Sequence, residues 1–124
     1  MRKGINADKA PAAVGPYVHG VEIGNLFFSS GQLGLDPATG QLKEGVVEQT
    51  KQSLYNIGVV LEAAGYTYDD VIKTTVFVDN MDDFAAVNEV YATYFTNNLP
   101  ARSCVEVARL PKDALVEIEV IAGK

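Results

Sequence analysis

Residues 100–109 read Pro-Ala-Arg-Ser-Cys-Val-Glu-Val-Ala-Arg, and Glu117 follows 13 residues after Cys104 in a second strand-like run. An arginine, a thiol and a carboxylate brought together across paired strands could bind a small carboxylic acid and handle a water molecule. The Arg102 guanidinium is a planar fork that fits a carboxylate at two points, which a lysine cannot do. Glu117 could accept a proton from water or simply orient it. Each residue also has a plainer reading. Arg102 could make a structural salt bridge with Glu106 or Glu117. Glu117 could be a solvated strand residue, although its strand is otherwise mostly apolar. Cys104 could be a small buried hydrophobe. With neither His nor Lys close in sequence to lower its pKa, a nucleophilic role for Cys104 is disfavoured and a main-chain role preferred.

Other chemistries find less support. His19 is the only histidine and Cys104 the only cysteine, which cannot build a usual zinc site. Asp69-Asp70 and Asp82-Asp83 read as solvated charges at helix ends and loops. Gly31-Gln32-Leu33-Gly34 lacks the spacing and the following Lys-Ser/Thr of a phosphate-cradling loop. The aromatic stripe Phe84, Tyr91, Tyr94 and Phe95 reads as core rather than a base-stacking platform. A net charge of −6 and a pI near 4.6 argue against nucleic acid, which calls for a basic patch.

A chain of 124 residues fits one domain, and one this size buries roughly two-thirds of its unfolded surface. A single cysteine allows no internal disulfide, which suits a reducing compartment such as the cytosol. No apolar run of about 18 residues predicts a membrane span, and Met1-Arg2-Lys3-Gly4 lacks the apolar core of a secretory signal.

The elements that must position these groups follow from periodicity. Residues 1–15 are weakly patterned and predict a loosely attached arm. Tyr17 to Val21 and Leu26 to Ser30 read as strands joined by a Gly24-Asn25 hairpin turn. Asp36-Pro37-Ala38-Thr39-Gly40 is turn chemistry. Residues 46–64 have helical spacing, with Val47, Thr50, Leu54, Ile57, Gly58, Leu61 and Ala64 on one face and Gly65 as a left-handed cap. Val71 to Asp79 reads as a strand. Asn80 is a helix N-cap, and the helix after it carries a stripe from Phe84 to Phe95, stopping before Pro100. Residues 102–109 and 114–122 close the chain as strands joined by Leu110-Pro111-Lys112-Asp113. The order β-β-α-β-α-β-β, with a further short strand near residues 33–35, predicts an α+β fold. In it a mixed sheet has two helices packed on one face.

Alternation sorts the strand faces. Val116, Ile118, Val120 and Ala122, together with Ile72, Thr74, Val76 and Val78, are expected beneath the helices. Phe77, Leu115, Ile121 and Glu117 are expected on the uncovered face, with Arg102 and Cys104 beside them. A half-apolar uncovered face predicts packing against other copies of the chain.

Four segments together resemble the reactive-intermediate deaminases, the YjgF/YER057c/UK114 family. They are Ala10-Pro11-Ala12-Ala13-Val14-Gly15-Pro16-Tyr17, Ser29-Ser30-Gly31-Gln32, Lys73-Thr74-Thr75-Val76-Phe77-Val78, and Pro100 through Glu119. The resemblance spans nearly all of residues 1–124 as a single domain. It implies a chorismate-mutase-like fold and a homotrimer whose sheets face the interior, with clefts between neighbours. It implies cytoplasmic 2-iminobutanoate/2-iminopropanoate deaminase activity: hydrolysis of 2-enamine and 2-imine acids, such as 2-aminoacrylate, to 2-keto acids and ammonia. The substrates would come from pyridoxal-phosphate dehydratases, and no cofactor or metal is implied. By the same resemblance Arg102 binds the substrate carboxylate, Glu117 holds the attacking water, and the Cys104 main chain contacts the reacting end. Tyr17, Ser30 and Gly31 line the cleft, with Asn88 near it. Two other readings stay open: a ligand-sensing module binding keto or amino acids in the same cleft, and an endoribonuclease-type translation inhibitor.

Overall fold

The computed structural model describes residues 1–124. Its elements are β1 (Arg2–Ile5), β2 (Gly20–Ile23), β3 (Leu26–Ser29), β4 (Gln32–Leu33), α1 (Gly45–Ala63), β5 (Val71–Val78), α2 (Phe84–Tyr91), β6 (Ala101–Glu106) and β7 (Val116–Gly123). They form one mixed sheet in the order β1-β2-β3-β7-β5-β6, with β4 also pairing β7. Only β5 and β6 are parallel, and α2 makes the crossover that parallel neighbours need. β4 and β5 are both antiparallel to β7, and α1 carries the chain from one to the other. Gly24, at φ +58, opens the two-residue turn between β2 and β3. Gly65, at φ +85, ends α1 in the left-handed conformation.

The core lies between the helices and one face of the sheet. Phe27, Leu54, Ile57, Val76, Val116 and Ile118 are fully buried there. Three buried polar residues of α1 work from the same side. Ser53 donates to the Gln32 carbonyl at 2.7 Å, and Asn56 donates to the carbonyls of Leu33 and Leu35 at 3.1 and 2.9 Å. Gln49 accepts from the Leu115 N–H at 2.8 Å and donates to the Lys43 carbonyl. These bonds clamp residues 32–35 and the start of β7 to the helix. No helix is long and apolar enough to cross a membrane.

The expected hairpin turn, helices and closing strands are present, although the first hairpin strand is Gly20–Ile23 rather than Tyr17–Val21, and four further corrections follow. The N-terminal residues are not a loose arm: Arg2–Ile5 pair with β2, and Ile5, Ala7, Ala10 and Pro11 are buried. An edge strand buried only at its last residue shows no alternation, so the pattern hid it. His19 fastens the following segment, its Nδ1 accepting from the Ala7 N–H at 2.9 Å and its Nε2 donating to the Pro11 carbonyl at 2.8 Å. A bulge between Val71 and Lys73 turns Ile72 outward and buries Val71 instead. Asn80 caps a 3₁₀ turn over Met81–Asp83, accepting from the Asp82 N–H, and α2 ends at Tyr91 although Phe95 is buried beyond it.

The fourth correction concerns the chemistry. Arg102 pairs with Thr74, Cys104 with Val76, and Glu106 with Val78. Residues aligned across a sheet share a face, so Arg102 and Cys104 project on the helix side with Thr74, Val76 and Val120. Glu117 aligns with Phe77 and lies on the uncovered face. Arg102 and Glu117 are therefore on opposite faces, not the same one. Alternation within each strand was legible; the phase between β6 and β7 depends on the parallel register, which no local pattern encodes.

Candidate active site

The predicted residues form two separate groups. The first lines a cleft of about 420 Å³ on the uncovered face and includes Tyr17, Ser30, Gly31 and Glu117. Phe28 pairs with Ile121 and Gln32 with Ile118. Four residue steps on one strand thus oppose three on β7, and this one-residue bulge falls at Ser29–Gly31. Ser29 Oγ accepts from the Val120 N–H at 2.9 Å, replacing the interrupted ladder. Ser30 is fixed by its Oγ donating to the Val18 carbonyl at 2.7 Å and its N–H to the His19 carbonyl. The bulge brings the backbone of Gly31 against the Glu117 side chain, so that a Cβ would fit only if that side chain moved.

Glu117 is half-buried in this cleft. Loss of water around its carboxylate, and secondarily the nearby Glu119 charge, push its pKa above the ordinary glutamate value. That favours a carboxylate able to hold a proton as well as release one.

Lys112, which sequence reasoning passed over, also lines the cleft. Its φ is +59 and that of Asp113 is +56, two successive left-handed residues without a glycine, at a cost of about 1–3 kcal/mol each. The buried Leu110 and the backbone bonds from Asp113 N–H to the Leu110 carbonyl and from Ala114 N–H to the Pro111 carbonyl, both 3.1 Å, hold the loop in that shape, and the exposed Arg109–Asp113 pair adds little. The only sequence signal was Pro-Lys-Asp in a turn, which does not specify positive φ.

The second group is Arg102, Asn88 and Cys104, at the β6 edge on the helix side. Arg102 Nη1 donates to Asn88 Oδ1 at 2.6 Å. Its Cζ lies 4.8 Å from the Tyr91 ring centroid and 5.4 Å from that of Phe84. Arg102 has no carboxylate partner: the ion pairs are Lys43–Asp36, Lys51–Glu48 and Arg109–Asp113. The salt bridges to Glu106 or Glu117 considered for it do not form. A partly buried guanidinium with four of its five N–H groups free of side-chain partners is suited to an external anion.

Cys104 packs against the core, and burial pushes its thiol pKa up, with Arg102 a smaller opposing influence. A raised pKa does not suit a nucleophile. Its main chain is more informative. The Val107 N–H donates to the Val78 carbonyl at 2.9 Å. Alternation in a parallel ladder then turns the N–H and C=O groups of Arg102 and Cys104 away from β5, along an edge with no neighbouring strand. No three His, Cys, Asp or Glu side chains cluster as metal ligands would.

The family model described as Endoribonuclease L-PSP matches residues 7–124. A 2-iminobutanoate/2-iminopropanoate deaminase of Salmonella typhimurium is 53% identical over 125 residues, covering 98% of both chains. The crystal structure of the Escherichia coli YjgF gene product is 50% identical and superposes with a TM-score of 0.95, covering 98% of each chain. That of E. coli TdcF with bound serine is 46% identical with a TM-score of 0.95 and the same coverage. The chain thus belongs to the Endoribonuclease L-PSP family, the reactive-intermediate deaminase family that its signature segment resembles.

Proposed function

We propose that this protein hydrolyses 2-imino acids to 2-keto acids and ammonia, as a ring of three copies whose sheets face inward and whose sites are completed between neighbours. The observation that carries this is the pairing of an unneutralised Arg102 fork on one face with a half-buried Glu117 in a cleft on the other. Neither half suffices alone, and an oligomer brings the edge of one copy to the cleft of the next. The 53% identity to a 2-iminobutanoate/2-iminopropanoate deaminase supports the same reaction.

The substrate carboxylate binds the free donors of Arg102, and the outward N–H or C=O of Cys104 meets the imine end. Tyr17, Ser30 and Gly31 enclose the other side, and Asn88 steadies Arg102. Glu117 takes a proton from water as the water oxygen bonds to the imine carbon, and passes that proton to the imine nitrogen, giving a neutral carbinolamine and an ionised Glu117. Glu117 then takes the carbinolamine hydroxyl proton and delivers it to the nitrogen as the C–N bond breaks, releasing ammonia and the 2-keto acid. Positioning supplies most of what this intrinsically easy hydrolysis needs. Dehydratases that use pyridoxal phosphate would generate the substrate.

The family's ribonuclease name finds no catalytic support here. The single histidine has both ring nitrogens engaged by backbone groups. A coupled assay tests the proposal: a dehydratase generates the imino acid, and keto-acid release is followed with and without this protein. Acceleration by wild type and its loss in Arg102→Ala are expected. No acceleration, or full activity in Arg102→Ala, refutes it.

A further inference from the structure

Arg102 is aimed by groups that lie outside the cleft. Phe84, Asn88 and Tyr91 follow one another along one stripe of α2 and all meet its guanidinium. Tyr91 differs from the other two in being buried, with 8% of its surface exposed, and in being tied down. Its hydroxyl shares a 2.8 Å hydrogen bond with Thr74 Oγ1, and its ring packs on Phe95 with centroids 4.6 Å apart. Thr74 is fully buried on β5 and is the register partner of Arg102 itself. The contacts close a ring: Arg102 backbone beside Thr74, Thr74 hydroxyl on Tyr91, Tyr91 ring beneath the Arg102 guanidinium.

The threonine is out of character for its place. Its neighbours on that face, Val76, Val78 and Val120, are aliphatic and buried. Valine has nearly the same shape and no hydroxyl to desolvate. A buried hydroxyl with one side-chain partner makes sense through what that partner holds. An arginine side chain has many rotamers, and a two-point grip on a carboxylate requires one of them.

We infer that Tyr91, anchored by Thr74, is a positioning residue for carboxylate recognition, holding the Arg102 fork flat so that the donors Asn88 leaves free face a small 2-imino or 2-oxo acid. This rests on the carboxylate-binding reading of Arg102 above. Because the carboxylate contact is the same before and during reaction, its loss weakens binding without slowing the bound complex.

The test uses Thr74→Val, Tyr91→Phe and the double variant, each keeping shape and deleting only hydroxyls. Binding of 2-oxobutyrate by calorimetry and steady-state deamination are measured, with Tm recorded. Each single change is expected to raise Kd and KM by roughly five- to twenty-fold with kcat within about twofold. The double variant should be no worse than the singles, because both hydroxyls belong to one bond. A lower Tm with wild-type Kd and KM overturns the inference by showing a merely structural bond. Arg102→Ala is measured alongside. If it abolishes binding while the hydroxyl variants bind normally, this inference alone fails. If it binds normally too, the carboxylate reading fails with it.

Discussion

The backbone of Gly31 lies directly against the carboxyl group of Glu117: a methyl group on that α-carbon would stand 2.8 Å from the carboxyl carbon. The neighbour that must give way is the far end of a flexible side chain, so the fold tolerates a side chain there by moving Glu117. Gly31→Ala should therefore fold normally and lose about 10²-fold in kcat, since small displacements of a catalytic group carry costs of that size. Circular dichroism checks the fold and the coupled keto-acid assay checks the rate. An unaffected kcat would detach Glu117 from the chemistry.

Arg102 and Glu117 project from opposite faces of one sheet, which makes their cooperation testable by mixing. With substrate held well below the KM of Arg102→Ala, Arg102→Ala and Glu117→Gln should each be nearly inactive, the first through lost binding and the second through a rate about 10²–10⁴-fold lower. Refolded together in equal amounts, they should recover about one quarter of wild-type activity. That is the fraction of boundaries receiving an intact Arg102 from one copy and an intact Glu117 from the next. Activity no greater than that of the separate variants would place both groups in a single chain's site.

The elevated pKa of Glu117 sets the direction of the pH response. In the proposed role of base Glu117 must be ionised, so kcat/KM should rise with pH through a value above the ordinary glutamate range. Desolvation is the main cause and Glu119 the second. Removing that negative neighbour eases ionisation, and Glu119→Gln should move the acid limb to lower pH. Stability runs the other way. A carboxyl with a raised folded-state pKa stabilises fully below the unfolded glutamate value, and that contribution fades as pH rises through the folded value. Glu117→Gln should therefore flatten the decline of Tm with pH across this window. A limb that stays put in Glu119→Gln counts against the assignment.

Asn56 tests the clamp beneath the site. Its amide donates to two carbonyls of the 33–35 segment, and its oxygen accepts from Gln52 at 2.9 Å. Asn56→Leu keeps the volume but strands buried acceptors, and should destabilise by about 2–4 kcal/mol. Urea unfolding at fixed protein concentration measures this, because association would make stability concentration-dependent. A wild-type midpoint would show that water satisfies those carbonyls.

Much of this protein was legible in residue order alone. The hairpin, α1 with its glycine stop, β5 and the last two strands follow from periodicity and turn chemistry, which act over a few residues. Arg102 and Glu117 stood out through the signature around them, which spans Pro100 to Glu119; strand patterning alone left Arg102 open to a structural salt bridge. What escaped was decided at long range. The phase of β6 against β5 put Arg102 on the helix side, and the bulges at Ile72 and Ser29–Gly31 changed which residues are buried or meet Glu117. Gln49, Ser53 and Asn56 look like solvent-facing polar residues, yet they are buried because carbonyls of residues 32–43 and the Leu115 N–H need partners. Local sequence sets which face of an element is apolar; only packing the elements together fixes register, and register determines which groups meet.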